Sequence, residues 1–406
     1  MIMVVSPFSM LVYHKKQKGF FETSEQRVLK CFVDNGHEVH LLVPREVGNP
    51  QDFLHSGIFV HEFKMPYVRL TKSLMSRVMG TIFYYFQYLL FILLSIRKFM
   101  SVTKIYGKPD VTYGYAPQGC LAAYMLSRLL RLVDISRLFG IIAFYTYLSR
   151  PLRFILGHFC FELFAFKLPC RYLIITNDGT RGDEVAKRLK VPTERVKYWM
   201  NGVDFLKDSN VDAQKLREEL GIDPQARVIV SICRLRWLKR VDRLIRALPL
   251  ITSVHSNVKL LIIGEGEERE TLERLTDILG VRRFVSFLGA VPHRDVEKYL
   301  HASDLFVSLY DFSNVSSSLL EAMACGLCVV ALNSGTTCQI ISNGKNGILI
   351  DYDDLEKLPT LISRLLKNDD LRRKLGNNAR EYALKNFKSW NERVKMEVEL
   401  IEDLFK

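Results

Sequence analysis

Arg234-Leu-Arg-Trp-Leu-Lys239 and Asp311-Phe-Ser-Asn-Val-Ser-Ser-Ser-Leu-Leu-Glu321-Ala-Met-Ala-Cys-Gly326 are the two stretches that decide how this chain folds. The first follows a β-type run over residues 227–232 and sets two cations just beyond it. The second sets a Ser-rich turn ahead of a helix expected to start near Ser318. In a parallel sheet both turns reach the carboxyl edge, where open α/β folds bind their ligands. Backbone N–H groups at a helix N-terminus attract anions through unpaired donors and the helix dipole, while Arg and Lys neutralise the charge that remains. The pair therefore reads as a diphosphate site.

Outward from these stretches, strand signals recur at 228–232, 259–264, 285–288, 305–309, 328–332 and 347–350, with helical runs between them. The first half opens as strand (1–5), polar loop (13–21), amphipathic helix (24–35) and, after the break at Gly36, a second strand (38–43). Further strands are expected at 111–114, 172–176 and 196–199, and Asn201-Gly202 marks the crossing into a second domain. Alternation of this kind predicts doubly wound α/β domains. A chain of 406 residues is long enough for two of them, each burying its own core.

The net charge of +13 is unevenly placed: residues 1–200 hold 27 Lys and Arg against 14 Asp and Glu, and the remainder hold 30 of each. A basic face suits nucleic acid, anionic lipid or an acidic substrate. Here the cations flank aromatic, apolar stretches and no common nucleic-acid-binding signature is present, which favours a membrane surface. Residues 78–96 are uncharged and contain Phe83, Tyr84, Tyr85, Phe86, Tyr88 and Phe91. At ~1.5 Å per residue such a helix approaches the ~30 Å hydrocarbon thickness. Spanning, however, would separate the first strand from the strand at 111, so a helix docked on the first domain or lying in the interface is expected. Residues 138–168 mix rings with Arg150, Arg153 and Lys167, a composition suited to headgroup level. The eight cysteines have no regular spacing, and Cys325-Gly-Leu-Cys328 lacks a second Cys or His pair, so a reduced protein facing the cytosol is the expectation. Residues 1–7 read as strand rather than signal peptide.

The chain resembles the family 4 glycosyltransferases. The resemblance rests on Arg234 with Lys239, Ile262-Ile-Gly264-Glu-Gly266, Phe287-Leu-Gly289-Ala-Val-Pro292, Ala302-Ser-Asp304, Glu321-Ala-Met-Ala-Cys-Gly326, Asn343-Gly344 and Asn346-Gly347, all in the family's order. Pro109-Asp110-Val, Arg137-Leu-Phe-Gly140 and Asn201-Gly202-Val-Asp204 look like its weaker landmarks upstream. The resemblance implies an α/β chain of GT-B fold, with two Rossmann-like domains facing each other across a cleft. It places an acceptor-side domain at 1–203, a nucleotide-sugar-binding domain at 204–385, and a helix at 386–406 crossing back onto the first domain. It also implies retaining transfer from a nucleoside-diphosphate sugar without a metal or other cofactor.

Within that resemblance, Arg234 and Lys239 stabilise the charge that builds on the leaving diphosphate. Glu321 matches the second glutamate of the family's E-x7-E pattern and is expected on the donor ribose. The alternative is a helix capping box, Ser318-Leu-Leu-Glu321, in which the glutamate only closes a turn. The first glutamate of the pattern is replaced by Ser313, which bears on donor-sugar identity; Asp311 and Asn314 are near neighbours. Gly19, Val291, Asn201, Ser313, Asn314, Ser316, Ser317 and Ser318 complete the expected donor-side set. No general base stands out: His14 and His158 are nearest, and a leaving phosphate oxygen is an alternative proton acceptor. The expected partners are the donor, a glycan or lipid-linked acceptor and an anionic membrane, with the protein peripheral on its cytosolic face. A GT-B epimerase, a transferase with a soluble acceptor and a membrane-bound pseudo-transferase are the competing readings.

Overall fold

The computed structural model describes residues 1–7, 24–45, 57–65, 77–140, 160–204 and 212–405. Lys18-Gly19-Phe20, His14, His158 and most of the ring-and-cation stretch 138–168 lie outside the described residues.

Two sheets organise the chain. The first is built of β1 (Ile2–Val5), β2 (Val39–Pro44), β3 (Ile58–Phe63), β4 (Val111–Tyr115), β5 (Val133–Leu138), β6 (Tyr172–Thr176) and β7 (Val196–Trp199), in the spatial order β3-β2-β1-β4-β5-β6-β7. The second is built of β8 (Arg227–Ile232), β9 (Val258–Ile263), β10 (Val285–Gly289), β11 (Leu305–Ser308), β12 (Cys328–Leu332) and β13 (Ile348–Ile350), ordered β10-β9-β8-β11-β12-β13. Neighbouring strands pair in parallel throughout both sheets. In each sheet the chain winds outward from the first strand, then returns and winds the other way. The reversal falls between β1 and β4 in one sheet and between β8 and β11 in the other. Strands covered on both faces read as continuous apolar runs, as β12 does with every residue buried.

Two strands lack the expected signal. The edge strand β3 is half-exposed and carries His61 and Glu62. The inner strand β5 carries Asp134, Ser136 and Arg137, all buried. Arg137 is tolerated there because Glu397, 260 positions away, ion-pairs with it and also accepts a hydrogen bond from the Tyr113 hydroxyl. Glu397 belongs to the last helix, Trp390–Glu402, which opens with a capping box between Ser389 and Glu392. Trp390, Val394, Val398 and Ile401 line one face of that helix and join the core of the first sheet beside Ile2, Val4 and Phe32. The chain's end thus completes the first domain, as expected. The two crossings meet where Val203 bridges Ser389, and Gly202 is required there because a Cβ would strike the Trp390 backbone.

The uncharged stretch at 78–96 lies in the helix Arg77–Tyr106. Tyr88, Phe91, Ile92, Phe99 and Val102 are buried against Met3, Val5, Leu42 and Phe63, so the helix is docked on the first domain. Among the described residues no helix is long and apolar enough to cross a membrane. The seven described cysteines are free; Cys120, Cys170 and Cys328 are buried, and burial pushes the Cys328 thiol up to about 12.

Candidate donor site at the second switch point

The loop after β8 is held open by two glycines on the neighbouring strand connection. A Cβ on Gly264 or Gly266 would strike the carbonyl oxygens of Cys233 and Leu235, so only glycine lets the two loops lie together. Leu235 N–H donates to the Glu265 carbonyl at 2.9 Å and Cys233 N–H to that of Ile263 at 3.0 Å. This pairing fixes Arg234, which is exposed, at the carboxyl edge.

Lys239 closes the short helical turn Trp237–Lys239 and points at the second loop. Its Nζ donates to the carbonyls of Phe312 and Ser313, each at 3.3 Å, and lies 4.4 Å from the centre of the Tyr310 ring. Burial pulls its pKa down to about 8; Cys233 and Asp178 oppose that shift, while Arg234 and Arg236 add to it. A half-buried ammonium held by carbonyl oxygens and an aromatic ring, with Arg234 and Arg236 nearby, favours an approaching anion. The helix Ser317–Ala324 begins just beyond, and its first N–H groups supply further donors.

The helix is capped by Ser316, not Ser318. Ser316 is extended (φ −80°, ψ 154°), and its hydroxyl accepts from Leu319 N–H at 3.3 Å. In a run of three serines any one could have capped, and the backbone selects the first. Ser318 instead donates to the Ile232 carbonyl at 2.8 Å, tying the helix to β8. The capping-box reading of Glu321 therefore fails. Glu321 sits one turn further in, 2% exposed, and its carboxylate is held at 2.8 Å by His293 Nε2.

His293 carried no expectation from the sequence. It opens the helix His293–His301 after Pro292, and its Nδ1 lies 3.4 Å from Asp204 and 3.5 Å from Arg27 of the first domain. Burial lowers its pKa, but the hydrogen bond and charge of Glu321, helped by Asp204, outweigh burial and the net shift is upward. The signal available was a histidine following Pro292 in a motif already recognised, and its partner lies 28 positions on.

The remaining expected residues divide. Ser313 adopts a left-handed φ of +54°, and its hydroxyl lies 3.4 Å from where a Cβ on Gly140 would stand, so it faces the first domain. Asn314 is buried, donates weakly to the Ser334 carbonyl at 3.4 Å, and leaves its amide oxygen without a partner among the described residues. Ser317 is half-buried at the helix start. Asp311 is occupied: Arg240, Arg243 and the Tyr352 hydroxyl hold its carboxylate at 3.2, 2.7 and 2.6 Å. The Val291 side chain is buried in the second domain's core, leaving only its backbone for a ligand. Asn201 stands at the domain crossing with its buried amide oxygen unpaired among the described residues.

The carboxyl edges of the two sheets face each other. Val315 N–H donates to the Asp178 carbonyl at 2.9 Å, and the Thr336 hydroxyl donates to Asn177 at 2.9 Å. Gly179, at φ +99°, approaches so closely that a Cβ would lie 2.8 Å from Asn314 N and 2.9 Å from Val315 N.

Residues 212–382 match the family model described as glycosyl transferases group 1. That span contains Arg234, Lys239, His293 and Glu321. The second domain is a group 1 glycosyl transferase domain. The GDP-mannose-dependent alpha-(1-6)-phosphatidylinositol monomannoside mannosyltransferase of Mycolicibacterium smegmatis is 31% identical over 212 residues, 50% of this chain and 55% of that protein. The chain spans about half the length of the curated relatives it matches. Two solved structures extend the likeness across both domains. Anabaena HepE, in complex with UDP and glucose, matches 99% of each chain at 18% identity with a TM-score of 0.73. WaaG, a glycosyltransferase involved in lipopolysaccharide biosynthesis, matches 97% of this chain and 98% of its own at 19% identity with a TM-score of 0.66. At those identities the likeness is one of fold, and the group 1 glycosyl transferase domain here is half of a GT-B molecule.

Proposed function

We propose that this chain is a retaining glycosyltransferase that moves a hexose from a nucleoside-diphosphate sugar to a lipid-linked or membrane-proximal acceptor. The observation that carries the proposal is the placement of Lys239, half-buried at the second switch point with its Nζ on the Phe312 and Ser313 carbonyls, beside Arg234 and a helix N-terminus. The bond that breaks joins the anomeric carbon to the diphosphate oxygen, and the bond that forms joins that carbon to the acceptor oxygen on the same face. The acceptor proton leaves on the diphosphate. Lys239 and Arg234, already in place, stabilise the developing negative charge without reorganising. Glu321 takes the donor ribose hydroxyls, with His293 fixing its carboxylate. Neutralisation by protein groups means that transfer should persist in EDTA.

The membrane-proximal acceptor rests on the first domain. Ile82, Phe86, Leu89 and Leu93 recur at spacings of four, three and four along Arg77–Tyr106, and each is more than half exposed. Phe164, on the helix Cys160–Lys167, is likewise exposed. All of the chain's excess positive charge lies in the same half. Apolar rows of this size among cations suit peripheral contact with an anionic surface, here the cytosolic face. The mycobacterial relative, named for a phosphatidylinositol monomannoside, and WaaG, of lipopolysaccharide biosynthesis, are consistent with such an acceptor.

Three measurements test this. A thermal-shift screen of the full chain against UDP, GDP, ADP and their sugars should single out one nucleotide, since a ligand at 100 times its Kd stabilises by about 2.7 kcal/mol. The same nucleotide sugar should then be hydrolysed slowly; no response to any of them would end the donor proposal. The chain should also sediment with anionic liposomes and lose that binding in Phe86→Ser/Leu89→Ser/Leu93→Ser. If it stays in the supernatant, a soluble acceptor replaces the lipid-linked one.

A further inference from the structure

The two helices that bring His293 to Glu321 meet again one turn further on. On the helix His293–His301, Glu297 and His301 follow His293 on the same face, four positions apart. On the helix Ser317–Ala324, Cys325 follows Glu321 by one turn and is the C-cap, where Gly326 at φ +74° leads the chain out of the helix. Among the described residues, Glu297, His301 and Cys325 are the one trio of His, Cys and carboxylate whose ligating atoms all lie within 4.8 Å of one another.

The spacing suits an ion better than it suits the side chains alone. His301 Nε2 stands 3.8 Å from Glu297 Oε1, too far for a hydrogen bond. Ligands at ~2.0–2.3 Å around a tetrahedral ion stand about 3.3–3.8 Å apart, so small side-chain rotations close the trio on a cation. Thiolate, imidazole and carboxylate together suit zinc, whereas magnesium and calcium take oxygen ligands. Thiolate and carboxylate carry two negative charges, which a divalent ion cancels. Burial pushes the Cys325 thiol up, Glu297 and Glu321 add to the rise and Arg380 opposes it; a bound cation reverses that balance. The His301 side chain is 31% exposed and opens the trio to solvent, which leaves a fourth position for water.

We infer that Glu297, His301 and Cys325 hold one divalent cation of the zinc class, with water in the fourth position, and that the ion staples together the two helices on which His293 and Glu321 meet. On binding, the Cys325 S–H bond breaks, the proton passes to solvent and the thiolate takes the metal, so affinity rises with pH. The staple lies one helical turn beyond Glu321 and takes no ligand from the loops that carry Arg234 and Lys239. EDTA therefore removes it without touching the groups that neutralise a diphosphate, and its loss is read in stability.

The full chain, stripped with EDTA, desalted and kept reduced, is titrated with Zn²⁺ against a chromophoric chelator and with Co²⁺ for the thiolate-to-cobalt charge-transfer absorption. A single equivalent should bind with that absorption present, and Zn²⁺ should raise the melting temperature where Mg²⁺ does not. Cys325→Ser and His301→Ala should each weaken Zn²⁺ binding by about tenfold or more, and Cys325→Ser should abolish the absorption. Cys338→Ser, which removes an exposed thiol outside the trio, should change neither. No zinc bound by the wild type, unchanged binding in both Cys325→Ser and His301→Ala, or an absorption that disappears with Cys338 overturns the site. If Cys325→Ser fails to fold, His301→Ala decides alone, since its side chain lies at the surface.

Discussion

The two sheets share a strand order but set opposite chemistry at the point where that order reverses. At β8/β11 stand Arg234, Lys239 and a helix N-terminus, a positive set at the carboxyl edge. At β1/β4 stand Glu25 and Tyr115, both buried, beside Arg137, which is paired with Glu397. One topology, used twice, thus leaves cations at one reversal point and seals polar groups inside the other. Function lies in the side chains placed at each switch point, not in the fold that places them. The sheets also differ in how they are completed. The second is closed by helices from its own sequence, whereas the first needs the helix Trp390–Glu402 from the far end of the chain.

That second difference breaks most easily. Glu397→Ala removes the partner of Arg137, which is buried, and losing one member of a buried pair costs about 3–5 kcal/mol. Urea unfolding should show the first domain melting early, with the second near its wild-type midpoint. A single unshifted transition would mean that the last helix does not hold the first domain.

At the second switch point, Lys239→Ala should lower turnover by about 10²- to 10³-fold, equivalent to about 2.7–4 kcal/mol of transition-state stabilisation. Melting temperature should hold or rise, because a partly desolvated ammonium is removed from the unliganded protein. Arg234→Ala, at an exposed position, should act in the same direction with less effect. Near wild-type turnover in both variants would remove the diphosphate assignment.

How much of this was legible in the sequence follows the same division. In the second domain every strand carries a local apolar signal, and Arg234, Lys239 and Glu321 sit in motifs that survive without knowledge of their partners. The first domain concealed β5, because Asp134, Ser136 and Arg137 look like a loop until Glu397 is placed against them from 260 positions away. His293 was hidden in the same manner: its meaning lies in Glu321, Asp204 and Arg27, none within its own helix. The cap at Ser316 could not be told from Ser318 by residue type, because only the backbone angle distinguishes them.

The His293–Glu321 pair sharpens the comparison, since it joins the Glu321 carboxylate to Arg27 of the first domain, directly and through Asp204. Glu321→Gln should raise donor KM with little change in kcat. His293→Gln should do the same more mildly and should also alter the pH dependence of stability. The His293 pKa is raised in the folded protein, so its stabilising contribution is fully present below the unfolded value near 6.5 and is lost as pH rises through the folded one. The stability gap between wild type and His293→Gln should therefore narrow from acid to alkaline pH. A gap that widens would mean that the histidine is held neutral.

The smallest effect discriminates best between the two switch points. Lys239 titrates near 8 in the free protein because burial opposes its charge, and a bound diphosphate favours the charged form, raising that pKa in the complex. Nucleotide binding must then take up a proton at alkaline pH, and affinity must fall as pH rises through about 8, approaching tenfold per pH unit above it. Calorimetry of UDP, GDP or ADP between about pH 7 and pH 9 in buffers of differing ionisation enthalpy reads both the uptake and the loss. Lys239→Arg, charged throughout, should bind with a flat profile, and Glu25→Gln should keep the wild-type slope because its carboxyl is buried at the other switch point. A flat wild-type profile would place the amine away from the phosphates. An altered slope in Glu25→Gln would mean that the two switch points titrate as one site.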